Sequence, residues 1–169
     1  MTSDPSLVEV RVPDASARQA VLQLLRETRQ FGEDEVRVAE ELFDLGSGET
    51  PRDPSYRWLG LYAGGILAGA ACYGETPGTD RTFDLYWIVV HAGRQGSGFG
   101  TRLLQAVERS VIDLGGRMLV AETSSRTDYI TARSFYAARG YAEVARIRDF
   151  FAPGDDRITF TRRVGETPG

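Results

Sequence analysis

The stretch RQGSGFGTRLL, Arg94–Leu104, decides the fold, because it places three glycines between a strand pattern and a helix pattern. The run before it, RTFDLYWIVV, is rich in aromatic and β-branched residues, and the run after it, GTRLLQAVERSVIDLGG, has helical periodicity. Glycine amides can approach an anion closely, and a helix N-terminus carries a partial positive charge. The sequence therefore predicts a phosphate-binding loop, with a purely structural tight turn as the alternative.

The patterns around this loop predict an α/β fold with a mixed, mainly antiparallel sheet flanked by helices. LVEVRV alternates like a strand and precedes two amphipathic helix patterns, PDASARQAVLQLLRETRQF and EDEVRVAEELFDLGSG. RWLGLYA and ILAGAACYG are joined by Gly64 and Gly65, which is typical of a tight hairpin. RMLVAETSS, the helix pattern TDYITARSFYAARG and the strands YAEVARIRDF and DRITFTRRV follow the loop and its helix. The predicted order is β-α-α-β-β-β-α-β-α-β-β.

Composition limits the functional classes. The 169 residues are 41% hydrophobic and 26% charged, which fits one globular domain. A net charge of −4 argues against nucleic acid or an anionic membrane as the main partner. Cys72 and His91 are the only residues of their types, so no metal site is expected. No secretory leader pattern and no apolar run of about 18 residues is present, so a cytoplasmic protein is expected.

Two nucleotide-binding motifs fit the loop less well. A P-loop needs Lys followed by Ser or Thr after its last glycine, whereas Gly100 is followed by Thr101 and Arg102. In a dinucleotide fingerprint Gly96 and Gly98 would fill two glycine positions and Glu122 would bind the ribose, but Thr101 replaces the third glycine. Too few βα units follow the loop for that fold. A dinucleotide-binding domain remains a remote alternative.

VHAGRQGSGFGTRLL resembles the acyl-CoA-binding segment of the GCN5-related N-acetyltransferases (GNAT). Members show Gln or Arg, two residues, Gly, one residue, then Gly or Ala, and Gln95, Gly98 and Gly100 match these positions. The order of elements is similar as well, from about residue 7 to residue 163. The resemblance implies a single acyl-CoA N-acyltransferase domain over residues 1–169, with a polar tail at 164–169. In two departures, Ala92 replaces a common proline and Tyr129 a common asparagine that contacts the cofactor.

The resemblance also implies where acetyl-CoA binds. The pantetheine arm would pair with the end of the strand before the loop, much as an added strand would. The pyrophosphate would rest on the loop amides, with Arg94 or Arg102 supplying charge. The implied cofactor-binding residues are Ile88, Val89, Val90, Gln95, Gly96, Ser97, Gly98, Phe99, Gly100, Thr101 and Tyr129.

Acetyl transfer to an amine needs a base for the ammonium and benefits from an acid for the departing thiolate. Asp84 lies eleven positions before Gln95, where the histone-acetylating members of the family carry a glutamate base. Its alternative role is a structural hydrogen-bond acceptor. Tyr136 occupies the position of a tyrosine that donates toward the sulfur, with packing beside Phe135 as its alternative. The amide of Val90 would polarise the thioester carbonyl.

The implied function is direct transfer of an acetyl group from acetyl-CoA to a primary amine, in a ternary complex and without a metal. The family grips its acceptor with residues 29–35 and 149–156, which are rich here in acidic and aromatic residues. Such a lining suits a cationic amine, or it is solvated loop. A small-molecule acceptor is expected, and a homodimer stays open. The main alternative is a non-catalytic acyl-CoA sensor or scaffold.

Overall fold

The computed structural model describes residues 7–165 and has an α/β fold. Three short 3₁₀ turns lie at Ala15–Ala17, Ala92–Arg94 and Thr127–Tyr129. The predicted order of strands and helices is confirmed. The elements are β1 (Val8–Arg11), α1 (Arg18–Glu27), α2 (Glu33–Gly46), β2 (Arg57–Ala63), β3 (Ile66–Glu75), β4 (Thr82–Val90), α3 (Phe99–Asp113), β5 (Met118–Ser124), α4 (Ile130–Ala138), β6 (Ala142–Ala152) and β7 (Asp155–Arg163).

The strands form one seven-stranded sheet in the order β1-β2-β3-β4-β5-β7-β6. β4 and β5 are parallel and are connected through α3, whereas β1 with β2, β2 with β3, β5 with β7 and β6 with β7 are antiparallel. The predicted mixed, mainly antiparallel sheet is thus confirmed. The last strand in sequence, β7, lies between β5 and β6.

Local chemistry explains two connections. Gly64 and Gly65 have φ angles of 59° and 82°, and Ala63 pairs directly with Ile66, so this is the tight hairpin that the two glycines predicted. The first helix is shorter than its pattern, which extended to Phe31. The Thr28 hydroxyl donates to the carbonyl of Leu25, and Arg29 has φ 54°, a left-handed conformation that ends a helix.

The described chain divides into two compact units. Unit 1 comprises the described part of Met1–Gly74 together with Trp87–Arg109. Its core includes the apolar faces of α1 and α2, with Phe43 meeting Trp58 edge to face at 5.2 Å between ring centroids. The Trp58 indole N–H donates to the carbonyl of Leu42 at 3.1 Å. Arg18 joins α1 to α2 by hydrogen bonds to Asp44.

Unit 2 comprises Glu75–Tyr86 and the described part of Ser110–Gly169. Its core contains the buried side chains of Leu119 and Ile158, and α4 packs on β7 through Tyr136 and Phe160 at 5.7 Å. β6 is the outermost strand of the sheet, and its eleven residues are all exposed. Residues 166–169 of the predicted polar tail lie outside the described part of the chain.

Candidate active site

The glycine loop of unit 1 has the backbone of an anion cradle. After β4, a 3₁₀ turn leads to Gly96 and Gly98, whose φ angles of 78° and 83° are left-handed. Neither glycine has an atom within 4 Å of where a Cβ would stand. α3 starts at Phe99, and its first turn closes with the amide of Arg102 donating to the carbonyl of Gly98 at 3.0 Å. The amides at the start of α3 therefore precede the intrahelical ladder and can bind an anion.

The side chains of this loop mostly contact the loop itself. Gln95 Nε2 lies 3.5 Å from the carbonyl oxygen of Val90, and the Ser97 hydroxyl donates to the carbonyl of Arg94. The Arg94 guanidinium lies 6.0 Å from the centroid of the Phe99 ring. Arg102, a candidate for phosphate charge, instead donates to the carbonyl of Val8. Of the two candidate arginines, Arg94 is the one that remains on the loop.

His91 is held by neighbours at the end of β4. Its Nδ1 accepts a hydrogen bond from the amide of Gly93 at 3.1 Å, and its Nε2 lies 3.6 Å from Glu27 Oε2. Because Nδ1 accepts, the ring proton of the neutral form is on Nε2 and points to the carboxylate. These contacts give His91 a role in fixing the start of the loop.

The last residues of β4 extend past its parallel partner. The register with β5 runs from Thr82 opposite Met118 to Leu85 opposite Ala121, whereas β4 continues to Val90. Val89 and Val90 have buried side chains and Ile88 is half-buried, so side-chain packing anchors this strand end. In the described part of the chain, the register with β5 ends at Leu85 and so includes none of Ile88, Val89 and Val90. The backbone N–H and C=O groups of these residues on the β5 side of the strand therefore do not pair with β5.

Asp84 lies in unit 2 and is half-buried on β4. It alternates with the buried side chains of Phe83 and Leu85, so it points to the opposite face of the sheet. The Thr76 hydroxyl donates to Asp84 Oδ2 at 2.7 Å. This contact orients the carboxylate and engages one of its two oxygens. Sequence reasoning missed Thr76, although the hairpin that joins β3 to β4 could have indicated it, since the amide of Thr76 donates to the carbonyl of Thr82.

Tyr136 lies in α4 and is only 6% exposed. Its ring packs against Tyr141 at 5.6 Å and Phe135 at 5.5 Å, in addition to Phe160. Burial raises the pKa of its phenol, so the hydroxyl stays protonated at neutral pH. Tyr129, the last residue of the 3₁₀ turn, caps the start of α4 and lies 6.0 Å from the guanidinium of Arg126.

Acidic residues in both predicted acceptor segments accept hydrogen bonds from nearby groups, some of them within the same segment. The Asp156 carboxylate accepts from the amide of Asp149 at 3.0 Å, and Asp149 accepts from the amide of Gly154 at 2.6 Å. Asp155 accepts from the hydroxyl of Ser124. In the other segment, the Glu35 carboxylate accepts from the amide of Gly32 at 2.8 Å. These acids brace turns and helix starts, which is a different role from an open acidic lining for a cationic amine.

Arg157 is a residue of this region that sequence reasoning did not consider. Its guanidinium carbon lies 4.4 Å from the Phe150 ring centroid, and its Nε lies 3.5 Å from Glu122 Oε1. The order of residues gives no sign that these three side chains meet, because they lie on three strands. Only the pairing of β7 with both β5 and β6 brings them together.

Within residues 7–165, no three His, Cys, Asp or Glu side chains are arranged to hold a metal ion. Over that range, no helix is both long enough and apolar enough to span a bilayer. The single cysteine, Cys72, is buried, and burial raises the pKa of its thiol, which makes it a packing residue.

Comparisons with known proteins agree with this fold. Residues 18–141 match the model of the acetyltransferase (GNAT) family. A crystal structure of a protein from Desulfovibrio desulfuricans assigned to the GNAT acetyltransferases is 36% identical, with a TM-score of 0.85 over 94% of this chain and 100% of the other. The ribosomal-protein-S18-alanine N-acetyltransferase of Escherichia coli is 18% identical, with a TM-score of 0.76 over 96% and 97% of the two chains.

A third similar structure is an aminoglycoside 6'-N-acetyltransferase complexed with coenzyme A. It is 18% identical, with a TM-score of 0.76 over 95% of this chain and 99% of the other. At this level of identity the second and third structures share the fold alone. No curated protein matches the sequence significantly.

Proposed function

The chain belongs to the acetyltransferase (GNAT) family, and on that premise we propose that it is an N-acetyltransferase that transfers acetyl from acetyl-CoA to a primary amine of a small molecule. The observation that carries the proposal is the loop from Gln95 to Thr101, with two left-handed glycines in open space before a helix start. A related structure with coenzyme A bound supports the choice of co-substrate. The protein is proposed to act in the cytoplasm as one acyltransferase domain.

In this proposal the loop amides bind the pyrophosphate, and the backbone of Ile88, Val89 and Val90 pairs with the pantetheine arm. The end of the parallel register at Leu85 supports the second role, because the remaining edge of β4 does not pair with β5. Tyr129 stands in for the asparagine contact of other members. The remaining proposed contacts to acetyl-CoA are from Gln95, Gly96, Ser97, Gly98, Phe99, Gly100 and Thr101.

The proposed chemistry moves one proton to the protein as a C–N bond forms and a C–S bond breaks. The amine attacks the thioester carbonyl carbon, and Asp84 takes its proton directly or through a water. The amide of Val90 stabilises the oxyanion that develops. The Tyr136 hydroxyl donates to the sulfur as it leaves. Because burial raises the pKa of this phenol, it serves best as a hydrogen-bond donor to sulfur, with the thiol taking its proton finally from solvent.

An acceptor panel that follows thiol release from acetyl-CoA tests the proposal. With an accepted amine, Asp84→Asn should lower kcat by about 10²-fold or more, because it removes the base. A matched variant, Thr76→Val, removes the hydroxyl that orients Asp84 and should cause a smaller loss. Both variants should keep their affinity for acetyl-CoA, since neither position is assigned to its binding.

Thermal unfolding supplies the control. Acetyl-CoA at 100 times its Kd stabilises a protein by about 2.7 kcal/mol, which corresponds to about 5–10 °C in Tm for a chain of this size. No shift would contradict acyl-CoA binding altogether. A shift without turnover of any amine would favour the sensor or scaffold alternative. Unchanged kcat in Asp84→Asn would refute the assignment of the base.

A further inference from the structure

Arg157 carries a guanidinium with unusually few polar partners. Its side chain is 27% exposed, and its Nε is buried without a hydrogen-bond acceptor. Within residues 7–165 its contacts are the Phe150 ring, 4.4 Å from the guanidinium carbon, and the Glu122 carboxylate, 3.5 Å from Nε. Arg157 and Glu122 thus form an ion pair without a hydrogen bond. Nε is therefore a buried donor without a partner, whereas Nη1 and Nη2, which have no hydrogen bond within residues 7–165, are open to solvent or to a ligand.

The buried Nε is costly unless something binds it, whereas the Nη donors can bind water or a ligand. Buried polar groups are nearly always hydrogen-bonded, and removal of a charged donor from water is penalised more than that of a neutral one. Glu122 approaches the Nε side of the guanidinium, which leaves the edge formed by Nη1 and Nη2. That edge presents two parallel N–H donors, a geometry that matches the two oxygens of a carboxylate. The Phe150 ring packs against the group, 4.4 Å from the guanidinium carbon.

Strand pairing places Arg157 on the same face of the sheet as Asp84. Asp84 lies opposite Val120, and Val120 lies opposite Thr161, which is four residues from Arg157 along β7. Residues opposite each other, or separated by an even number along a strand, share a face. Arg157 is therefore two strands from Asp84, or about 10 Å across the sheet, and about 13 Å farther along it. The other face of β7 packs against α4 through Phe160 and Tyr136.

We propose that Arg157 binds a carboxylate of the acceptor, so that the substrate is an amine whose carboxylate lies several bonds away. This inference rests on the proposed function, with Asp84 as the base that faces the reacting amine. The spacing suits an ω-amino acid or the N-terminal amine of a short peptide. It is too long for the α-amine of a free amino acid. A diamine would meet Arg157 with a like charge, and a phosphate dianion would be repelled by Glu122 more strongly than a carboxylate.

The test is a series of ω-amino acids of two to eight carbons, compared with n-alkylamines of the same length in the thiol-release assay. We expect kcat/KM to rise to an optimum at five or more carbons for the amino acids, and to exceed that of the matched alkylamine there by at least about tenfold. Arg157→Gln should abolish this advantage, mainly through KM, and leave the alkylamines unchanged. Arg148→Gln, at an exposed arginine of β6, is the matched control and should keep the advantage.

A second experiment compares 6-aminohexanoate with its amide as acceptors of the wild-type protein. It tests the proposal even if Arg157→Gln does not fold. Equal kcat/KM for the acid and the amide would overturn the role of Arg157. Equal losses for amino acids and alkylamines in Arg157→Gln would do the same. If alkylamines turn over without any gain from a carboxylate, only this inference fails. If no amine in the panel turns over although acetyl-CoA raises the Tm, the proposed function fails with it.

Discussion

At the scale of single residues, Tyr136 combines packing with a polar group. Its ring contacts three aromatic neighbours, and its hydroxyl belongs to a side chain that is 6% exposed. The sequence offered packing and proton donation as alternatives for this residue. The structure supports packing directly, and the raised pKa agrees with a hydroxyl that remains a donor. The two roles are separable by substitution, because phenylalanine preserves the first and removes the second.

Tyr136→Phe should lower kcat by about 10²-fold while the protein keeps its fold, because the ring contacts remain. Tyr136→Ala is the control for packing and should lose about 3–5 kcal/mol of unfolding free energy. Because burial raises the pKa of the phenol above its ordinary value of about 10, Tyr136 should not ionise between about pH 7 and pH 10. The ratio of wild-type to Tyr136→Phe rates should be constant over that range. A ratio near one at every pH would contradict the donor role, and a ratio that falls toward one as the pH rises would contradict the raised pKa of the phenol.

Single candidate residues could be predicted when their distance in sequence from the glycine loop was informative. Asp84 was predicted as a candidate base from its offset to Gln95, and the structure shows it half-buried on β4, which agrees with the predicted strand. The partners of such residues could not be found in this way. Thr76 and Arg157 make side-chain contacts that depend on hairpin geometry and on strand register. Neither is encoded in local periodicity.

At the scale of elements, the loop between β4 and α3 depends on backbone conformations that favour glycine. Gly98→Ala should destabilise the protein by about 1–2 kcal/mol, because an L-residue is strained at φ 83°. It should also raise the Kd for acetyl-CoA by about tenfold, since a shifted amide loses a charge-assisted hydrogen bond. Gly78→Ala is the matched control, with φ 76° and equally open space in the turn between β3 and β4. It should cost similar stability and leave the Kd unchanged, as measured by calorimetry. Equal changes of Kd in both variants would refute the cradle.

The order of elements was predictable because most boundaries have a chemical marker. Glycines end α2, α3 and α4 or follow them closely, and the Gly64–Gly65 pair fixes the first hairpin. The spatial order of the last strands was not predictable, because β7 could have been added on either side of β6. The early end of α1 at Glu27 also escaped prediction, since the apolar pattern continues to Phe31 and the left-handed conformation of Arg29 has no sequence marker.

At the scale of the whole molecule, the acidic composition has a consequence for stability. Within residues 7–165, four carboxyl groups in different parts of the chain have lowered pKa values: Asp14, Asp44, Asp53 and Asp156. For Asp44 the main cause is its hydrogen bond from Arg18. For Asp156 it is the amide of Asp149, followed by the Arg146 guanidinium at 3.1 Å. In the folded state, the surroundings of all four groups favour the ionised carboxylate. The stability of the fold should therefore rise as the pH rises through the acid range.

A carboxyl group whose pKa is lower in the folded than in the unfolded state stabilises the fold above its unfolded pKa of about 3.9. That stability is lost as the pH falls through the folded pKa, because the proton then binds both states. The Tm should therefore fall from about pH 5 to about pH 2. Asp44→Asn and Asp156→Asn should each have a lower Tm than the wild type at pH 7, and the three curves should converge in acid. A constant difference at every pH would mean that these side chains stabilise the fold through neutral contacts and that their charges contribute nothing.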